Sequence, residues 1–209
     1  MNAVADTITR RIRARGRGGW VFTPKDFLDV GTRAAVDQTL SRLVRKGVIR
    51  RLGTGLYDFP RGHPVLGTLS PGADELAKAI GARTGDIVFP SGAAAANFLG
   101  LSTQVPARPV YLTNGPSRTR KVGGRTIVLR HARVPIIDLI SGKANFVLQA
   151  LSYLGKDNID DQTILQCANR LDDRDMKDLA TTASRIPGWL ADIVLRIQRV
   201  KHGQVRNQA

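Results

Sequence analysis

Val4, Ile8 and Ile12 recur at every fourth position, and this apolar stripe predicts a helix over Val4–Arg15. Gly16, Gly18 and Gly19 end it. Trp20, Val21 and Phe22 form a short apolar run that reads as a strand. Thr23-Pro24 is a helix start, a hydroxyl cap followed by proline at the first helical position. The helix it opens runs to about Asp29, with Phe27 and Leu28 expected inward, and Gly31 breaks it. Thr32 caps a further helix over Arg33–Lys46, closed by Gly47. Val48–Leu52 and Leu56–Phe59 read as strands joined by the tight turn Gly53-Thr54-Gly55. Helix, short strand, helix, helix and hairpin is the order of a winged helix-turn-helix over residues 1–62, the hairpin being the wing.

Pro60–Pro71, rich in Gly and Pro, reads as a linker to a second domain over 63–201. Its first part, 72–133, is mixed α/β. Helices are expected over Ala73–Ile80 and, capped by Ser91, through Ala93–Leu99. Strands are expected at Ile87–Phe89, Val110–Thr113 and Thr126–Arg130. From Val134 the pattern turns helical, with helices near Ile136–Ile140, Asn145–Leu154, Asp161–Leu171, Asp173–Ile186 and Trp189–Lys201. Residues 202–209 read as a disordered tail. The fold class expected is α+β: a winged helix-turn-helix, then a mixed α/β domain ending in a helical bundle.

Charge changes the picture most. Thirty-two Lys+Arg stand against 17 Asp+Glu, a net of +15. That imbalance attracts polyanions by phosphate contact and counterion release. It is uneven: residues 1–62 hold 13 cations and five carboxylates, and residues 108–133 hold seven cations, from Arg108 to Arg133, and no acid. A basic amphipathic helix with a bulky aromatic face, which a membrane surface would require, is absent, and so is a run of about 18 apolar residues. The first 20 residues carry five arginines and no secretory apolar core. The single cysteine, Cys167, cannot form an internal disulfide, so a cytoplasmic location is expected.

On a helical wheel of Arg33–Lys46, Val36, Leu40, Leu43 and Val44 share one face, and Ala34, Gln38, Ser41, Arg42 and Arg45 the opposite one. An outward face of this kind suits the DNA major groove, where Arg bonds guanine edges and Gln adenine edges. Thr32 and Arg33 lie at the helix N-terminus, where backbone N–H groups favour a phosphate. In the wing, Arg50, Arg51 and Thr54 are expected at the DNA backbone, with Arg61 just beyond. The cluster Arg10, Arg11, Arg13, Arg15 and Arg17 is either a solvated helix end or a further contact. In the second domain Ser117–Lys121 reads as a basic loop between strands, placing Arg118, Arg120 and Lys121 on phosphates.

Catalytic chemistry is sparse. Glu75 is the one glutamate, and His63, His131 and His202 share no local motif. Pro90-Ser91-Gly92 lacks the second glycine of a nucleophile turn and reads as a helix cap. Asp157, Asp160, Asp161, Asp172, Asp173, Asp175 and Asp178 fall mostly at helix starts, where carboxylates cap. No enzyme activity, metal or cofactor is expected.

Three segments, RLVRKGVIRRLGTGLYDFP, PSGAAAANFLGLSTQVP and VYLTNGPSRTRKVGGRTIVLRH, together resemble the AbiEi antitoxins of bacterial abortive-infection systems over about residues 1–200. The resemblance implies a type IV antitoxin that represses its own operon at inverted repeats of double-stranded promoter DNA. It also implies a counterpart nucleotidyltransferase toxin, opposed without a stable complex. A DNA-binding regulator with a ligand-sensing or dimerising C-terminal domain is the alternative. A nuclease is a third class, disfavoured by the missing acid/base and metal groups.

Overall fold

The computed structural model describes residues 3–104, 109–138 and 140–206, with side chains described to residue 203. The chain is α+β. It divides into two compact units, the first of residues 1–88 and 117–129, the second of 89–116 and 130–209. The division therefore does not fall at residue 62: the first unit takes in a further helix and a hairpin distant in sequence.

The first unit begins with α1 (Ala3–Ala14), β1 (Val21–Phe22) and one 3-10 turn, Pro24–Phe27. α2 (Arg33–Arg45), β2 (Arg50–Gly53) and β3 (Leu56–Asp58) follow. β3 is the middle strand of a three-stranded antiparallel sheet, between β1 and β2. The core holds Ile8, Ile12, Phe22, Phe27, Val36, Leu40, Ile49 and Tyr57. The α1 stripe and the inner face of α2 are thus the expected ones, Leu43 and Val44 packing at its margin. Phe22 and Phe27 meet edge to face at 5.6 Å. Each is fully buried, a contribution of about 2–3 kcal/mol.

Leu28 is not inward; it is 47% exposed. The expected helix from Pro24 is a single 3-10 turn, so only one side of it reaches the core, and Phe27 fills that side. Asp26 holds the turn, its carboxylate accepting from the Thr23 N–H at 2.7 Å and the Thr23 hydroxyl at 2.9 Å.

Residues expected as a linker form a hairpin, β4 (Gly62–His63) and β5 (Gly67–Thr68). His63 Nδ1 accepts from the Val65 and Leu66 N–H groups at 3.2 and 3.1 Å, which fixes the turn. α3 (Ala73–Thr84) then packs on β1 and β3.

Two strands cross from one unit to the other: β6 (Val88–Pro90) and β9 (Arg125–His131). Between them in sequence come α4 (Gly92–Phe98), β7 (Val110–Thr113) and β8 (Arg118–Val122). Ser117–Lys121 is therefore not a loop, since most of it is β8. Gly123 and Gly124 carry φ of 57° and 77°, so both central residues of a two-residue turn are left-handed and Val122 pairs with Arg125. That turn continues the ladder back to Arg118 opposite Leu129.

The second unit is mainly helical: α5 (Gly142–Leu154), α6 (Asp161–Arg170), α7 (Asp173–Ala180) and α8 (Gly188–Arg206). Their apolar faces share one core with Ala95, Ala96, Leu99, Val134 and Cys167. The helix expected at Ile136–Ile140 is irregular chain, with Leu139 outside the described residues. Side-chain amides satisfy its backbone: Asn145 bonds both the N–H and the carbonyl of Ile137, and Gln149 donates to the Val134 carbonyl. α7 stops at Ala180, short of Ile186, where the Thr181 and Thr182 hydroxyls bond the carbonyls of Asp178 and Leu179. α8 continues to Arg206, through part of the expected tail, and residues 207–209 lie outside the described ones. Asp160 and Asp172 cap α6 and α7, as expected of carboxylates at helix starts. Among the described residues no helix is long and apolar enough to cross a membrane.

Candidate nucleic-acid interface

Charge separates the units. The first holds nineteen Lys+Arg against eight Asp+Glu, a net of +11, and the second thirteen against nine, a net of +4. Most of the excess therefore belongs to the unit that carries α2.

Thr32 caps α2, its Oγ1 accepting from the Ala35 N–H at 3.4 Å. The 13-residue helix buries Val36, Thr39 and Leu40 and exposes Ala34, Gln38, Ser41, Arg42 and Arg45. Arg33 is exposed but engaged, its Nε 2.9 Å from Asp37 one turn on. Arg42 and Arg45 have no ion-pair partner among the described residues. They are long cations with Gln38 and Ser41 on one helix face, and only Arg33 has its charge answered there.

Beside this face is a groove of about 550 Å³, lined among others by Lys25, Arg33, Ser41, Arg51, Thr54 and Arg83. Thr54 and Gly55 of the β2–β3 turn line it too. Arg83, at the end of α3, donates to the Thr54 carbonyl at 2.9 Å and so ties that turn to the helix. A smaller recess of about 350 Å³ joins Thr54 and Arg83 to Arg120 and Lys121 of β8. Arg51, Thr54, Arg83, Arg120 and Lys121 thus gather round one turn. Cations gathered in this way can contact a phosphate backbone. Lys25 and Arg83 were not among the residues expected from sequence. Arg83 sits in an unremarkable last helical turn, and only the fold brings it to the hairpin 29 residues earlier.

Two expected contacts are committed elsewhere. Arg50 stands opposite Asp58 across the β2–β3 ladder and binds it through Nε and Nη2, at 3.1 and 2.6 Å. Arg50 also donates to the Leu69 carbonyl. Asp58 is almost fully buried, and its carboxylate raises the pKa of the Arg50 guanidinium. Arg118 bonds Asp86 at 2.6 Å and the Thr84 hydroxyl at 2.9 Å, with only 12% of its side chain exposed. The Thr84 hydroxyl, then Arg118, holds the Asp86 carboxyl below its ordinary range. Arg120 lies on the same face of β8, opposite Ile127, but is exposed, so it is the bonds to Asp86 and Thr84 that commit the Arg118 cation within the unit.

The Arg10–Arg17 cluster is also mostly engaged. Arg11 binds Asp29 and the Asp26 carbonyl, Arg15 lies over Trp20, and Arg17 lies over Phe59 at 4.3 Å. Arg10 and Arg13 are exposed. Arg108 lies outside the described residues.

A family model described as a family of unknown function, DUF6088, matches residues 7–179. The chain belongs to the DUF6088 family. The match takes in α2, the β2–β3 turn, α3 and the β8–β9 hairpin, so every cation of this DUF6088 surface lies within the family's shared extent. No curated protein matches the chain.

Proposed function

We propose that this DUF6088 protein is a DNA-binding transcriptional regulator. In this reading α1 to β3 form a winged helix-turn-helix in which the Pro24–Phe27 turn stands for the first helix of the motif. α2 is the recognition helix, and the β2–β3 hairpin is the wing. The observation that carries the reading is the outward face of α2, where Gln38, Ser41, Arg42 and Arg45 are exposed and the two arginines are unpaired among the described residues. An arginine reads guanine O6 and N7 bidentately, and Gln does the same for adenine. The cations round the Gly53–Gly55 turn grip the backbone beside the reading helix and set its register.

Binding of this kind falls steeply with salt. About six neutralised phosphates give a slope near −5 for log affinity against log salt. Footprinting the full chain on its own promoter region tests the reading. Protection of a defined site supports it, and binding that is uniform along the duplex or insensitive to salt overturns it.

We further propose, from the resemblance to the AbiEi antitoxins, that the target is an inverted repeat in the protein's own promoter. On that reading the protein represses its operon and counters a nucleotidyltransferase toxin in the cytoplasm. Neither activity requires catalysis by this chain. Co-expression with a nucleotidyltransferase encoded beside it is the test: restored growth supports the antitoxin role, and unrelieved arrest removes it while leaving the DNA reading intact.

A further inference from the structure

The second unit contains a recess that the DNA reading does not use. Its volume is about 510 Å³, within the range of sites that take small organic ligands. Its floor is apolar. Val110 and Leu112 are alternate residues on one face of β7, half-buried, while Tyr111 and Thr113 on the other face are buried. One wall is the Tyr153 ring of α5, about half exposed. Gly92 shapes the end where α4 meets α5, since a Cβ there would lie 2.6 Å from the Tyr153 Cβ and 2.7 Å from the Gln149 carbonyl.

The lining also carries cations. Arg130 and Arg133 line the recess and are exposed, and neither has an ion-pair partner among the described residues. His131 lies between them in sequence, its Nδ1 2.9 Å from the Gly115 carbonyl, which can only accept. No carboxylate of the described residues lines the recess. Other polar groups are occupied: Ser91 Oγ accepts from the Ala94 N–H, and Gln149 Nε2 donates to the Val134 carbonyl.

A recess lined by apolar residues, an aromatic ring and two guanidinium groups without ion-pair partners among the described residues complements a ligand with a flat apolar body and an anionic group. We propose that this recess binds a nucleoside diphosphate, its base between Tyr153 and the Val110–Leu112 floor and its phosphates on Arg130 and Arg133. Guanidinium groups suit phosphate oxygens because their donors form a planar fork, and aromatic rings stack on bases of any sequence. A DNA backbone held by the same arginines would have no use for the floor. The recess gives the regulator a small-molecule input, and it stands or falls independently of the α2 surface.

Calorimetric titration of the full chain with ADP, GDP, CDP, UDP and inorganic pyrophosphate tests the proposal. At least one nucleotide should bind about tenfold or more tightly than pyrophosphate. Tyr153→Ala and the double variant Arg130→Gln/Arg133→Gln should each weaken it by about tenfold, Tyr153→Phe should retain it, and thermal melts should match wild type. Arg42→Ala/Arg45→Ala should leave nucleotide binding unchanged, so failure of the recess and failure of the DNA reading give different results. No nucleotide binding at about 1 mM, pyrophosphate binding as tightly as the best nucleotide, or affinity indifferent to Tyr153→Ala overturns the proposal. So does loss of duplex binding, without loss of nucleotide binding, in the double arginine variant.

Discussion

Arg118→Ala is expected to destabilise the first unit without altering how the protein grips DNA, and Arg120→Ala/Lys121→Ala to do the reverse. The three cations are close neighbours on β8, yet only Arg118 turns inward to Asp86 and Thr84. Truncating it removes an ion pair at 2.6 Å and a hydrogen bond at 2.9 Å. An exposed pair is worth about 0–1 kcal/mol, whereas breaking a buried one costs about 3–5 kcal/mol. Arg118 and Asp86 keep 12% and 18% of their side chains exposed, and the Thr84 hydroxyl still supports the carboxylate at 2.6 Å. The cost should therefore fall between those limits, at about 2–3 kcal/mol. With a urea slope of about 1–3 kcal/mol/M, the unfolding midpoint should drop by about 0.7–3 M. The exposed Arg120 and Lys121 should shift stability by no more than about 0.5 kcal/mol each. Their loss should instead weaken binding on all duplexes alike and shrink the salt slope by about 0.9 for each phosphate contact removed. The paired assay is urea unfolding and a salt-dependent DNA titration on each variant. An Arg118→Ala protein as stable as wild type, or one that alone flattens the salt slope, refutes the reasoning.

A fragment ending at residue 62 should unfold without a cooperative transition, because it lacks α3, which packs on β1 and β3; circular dichroism against urea checks this. The Cys167 thiol, pushed up to about 12 by burial, should resist a disulfide reagent at pH 8 in the native protein and react once urea unfolds it. Asp86 and Asp172 have carboxyl pKa values below the ordinary range, Asp86 chiefly through the Thr84 hydroxyl and Asp172 chiefly through the Asp175 backbone N–H. A lowered folded-state value means the stabilisation is full above the unfolded value of about 3.9 and disappears as pH falls through the folded one. Stability should therefore hold down to about pH 5 and fall below about pH 4, and Asp86→Asn should flatten that fall; a protein equally stable at pH 3 contradicts this.

Elements whose instructions are local were legible in the sequence. The α1 stripe, the Thr32 cap and the division of α2 into buried and exposed faces follow from spacing alone, because a helix face is set by residues three and four apart. The identity of the contact cations was not legible in the same way. Nothing near Arg50 or Arg118 distinguishes them from Arg51 or Arg120; the partners Asp58 and Asp86 come from another strand and from beyond the end of α3. The Gly123-Gly124 turn did contain the signal that makes Arg118–Lys121 a strand, since two adjacent glycines suit a turn with both central residues left-handed. The irregular chain at 134–138 had no such signal. Its apolar residues read as a helix face, and its backbone is bonded instead by the side chains of Asn145 and Gln149 from the following helix.

The discrimination of Arg42→Ala/Arg45→Ala between promoter and unrelated duplex tests most directly the proposal that α2 reads base edges. Each lost base contact should cost about 1–3 kcal/mol on the specific site and little elsewhere. If both arginines contact bases, the specificity ratio should fall by about 30-fold or more. Folding should be unchanged, since both side chains are exposed on the face opposite Val36 and Leu40. A folded double variant that keeps the wild-type ratio and footprint contradicts the assignment of α2 as the reading helix.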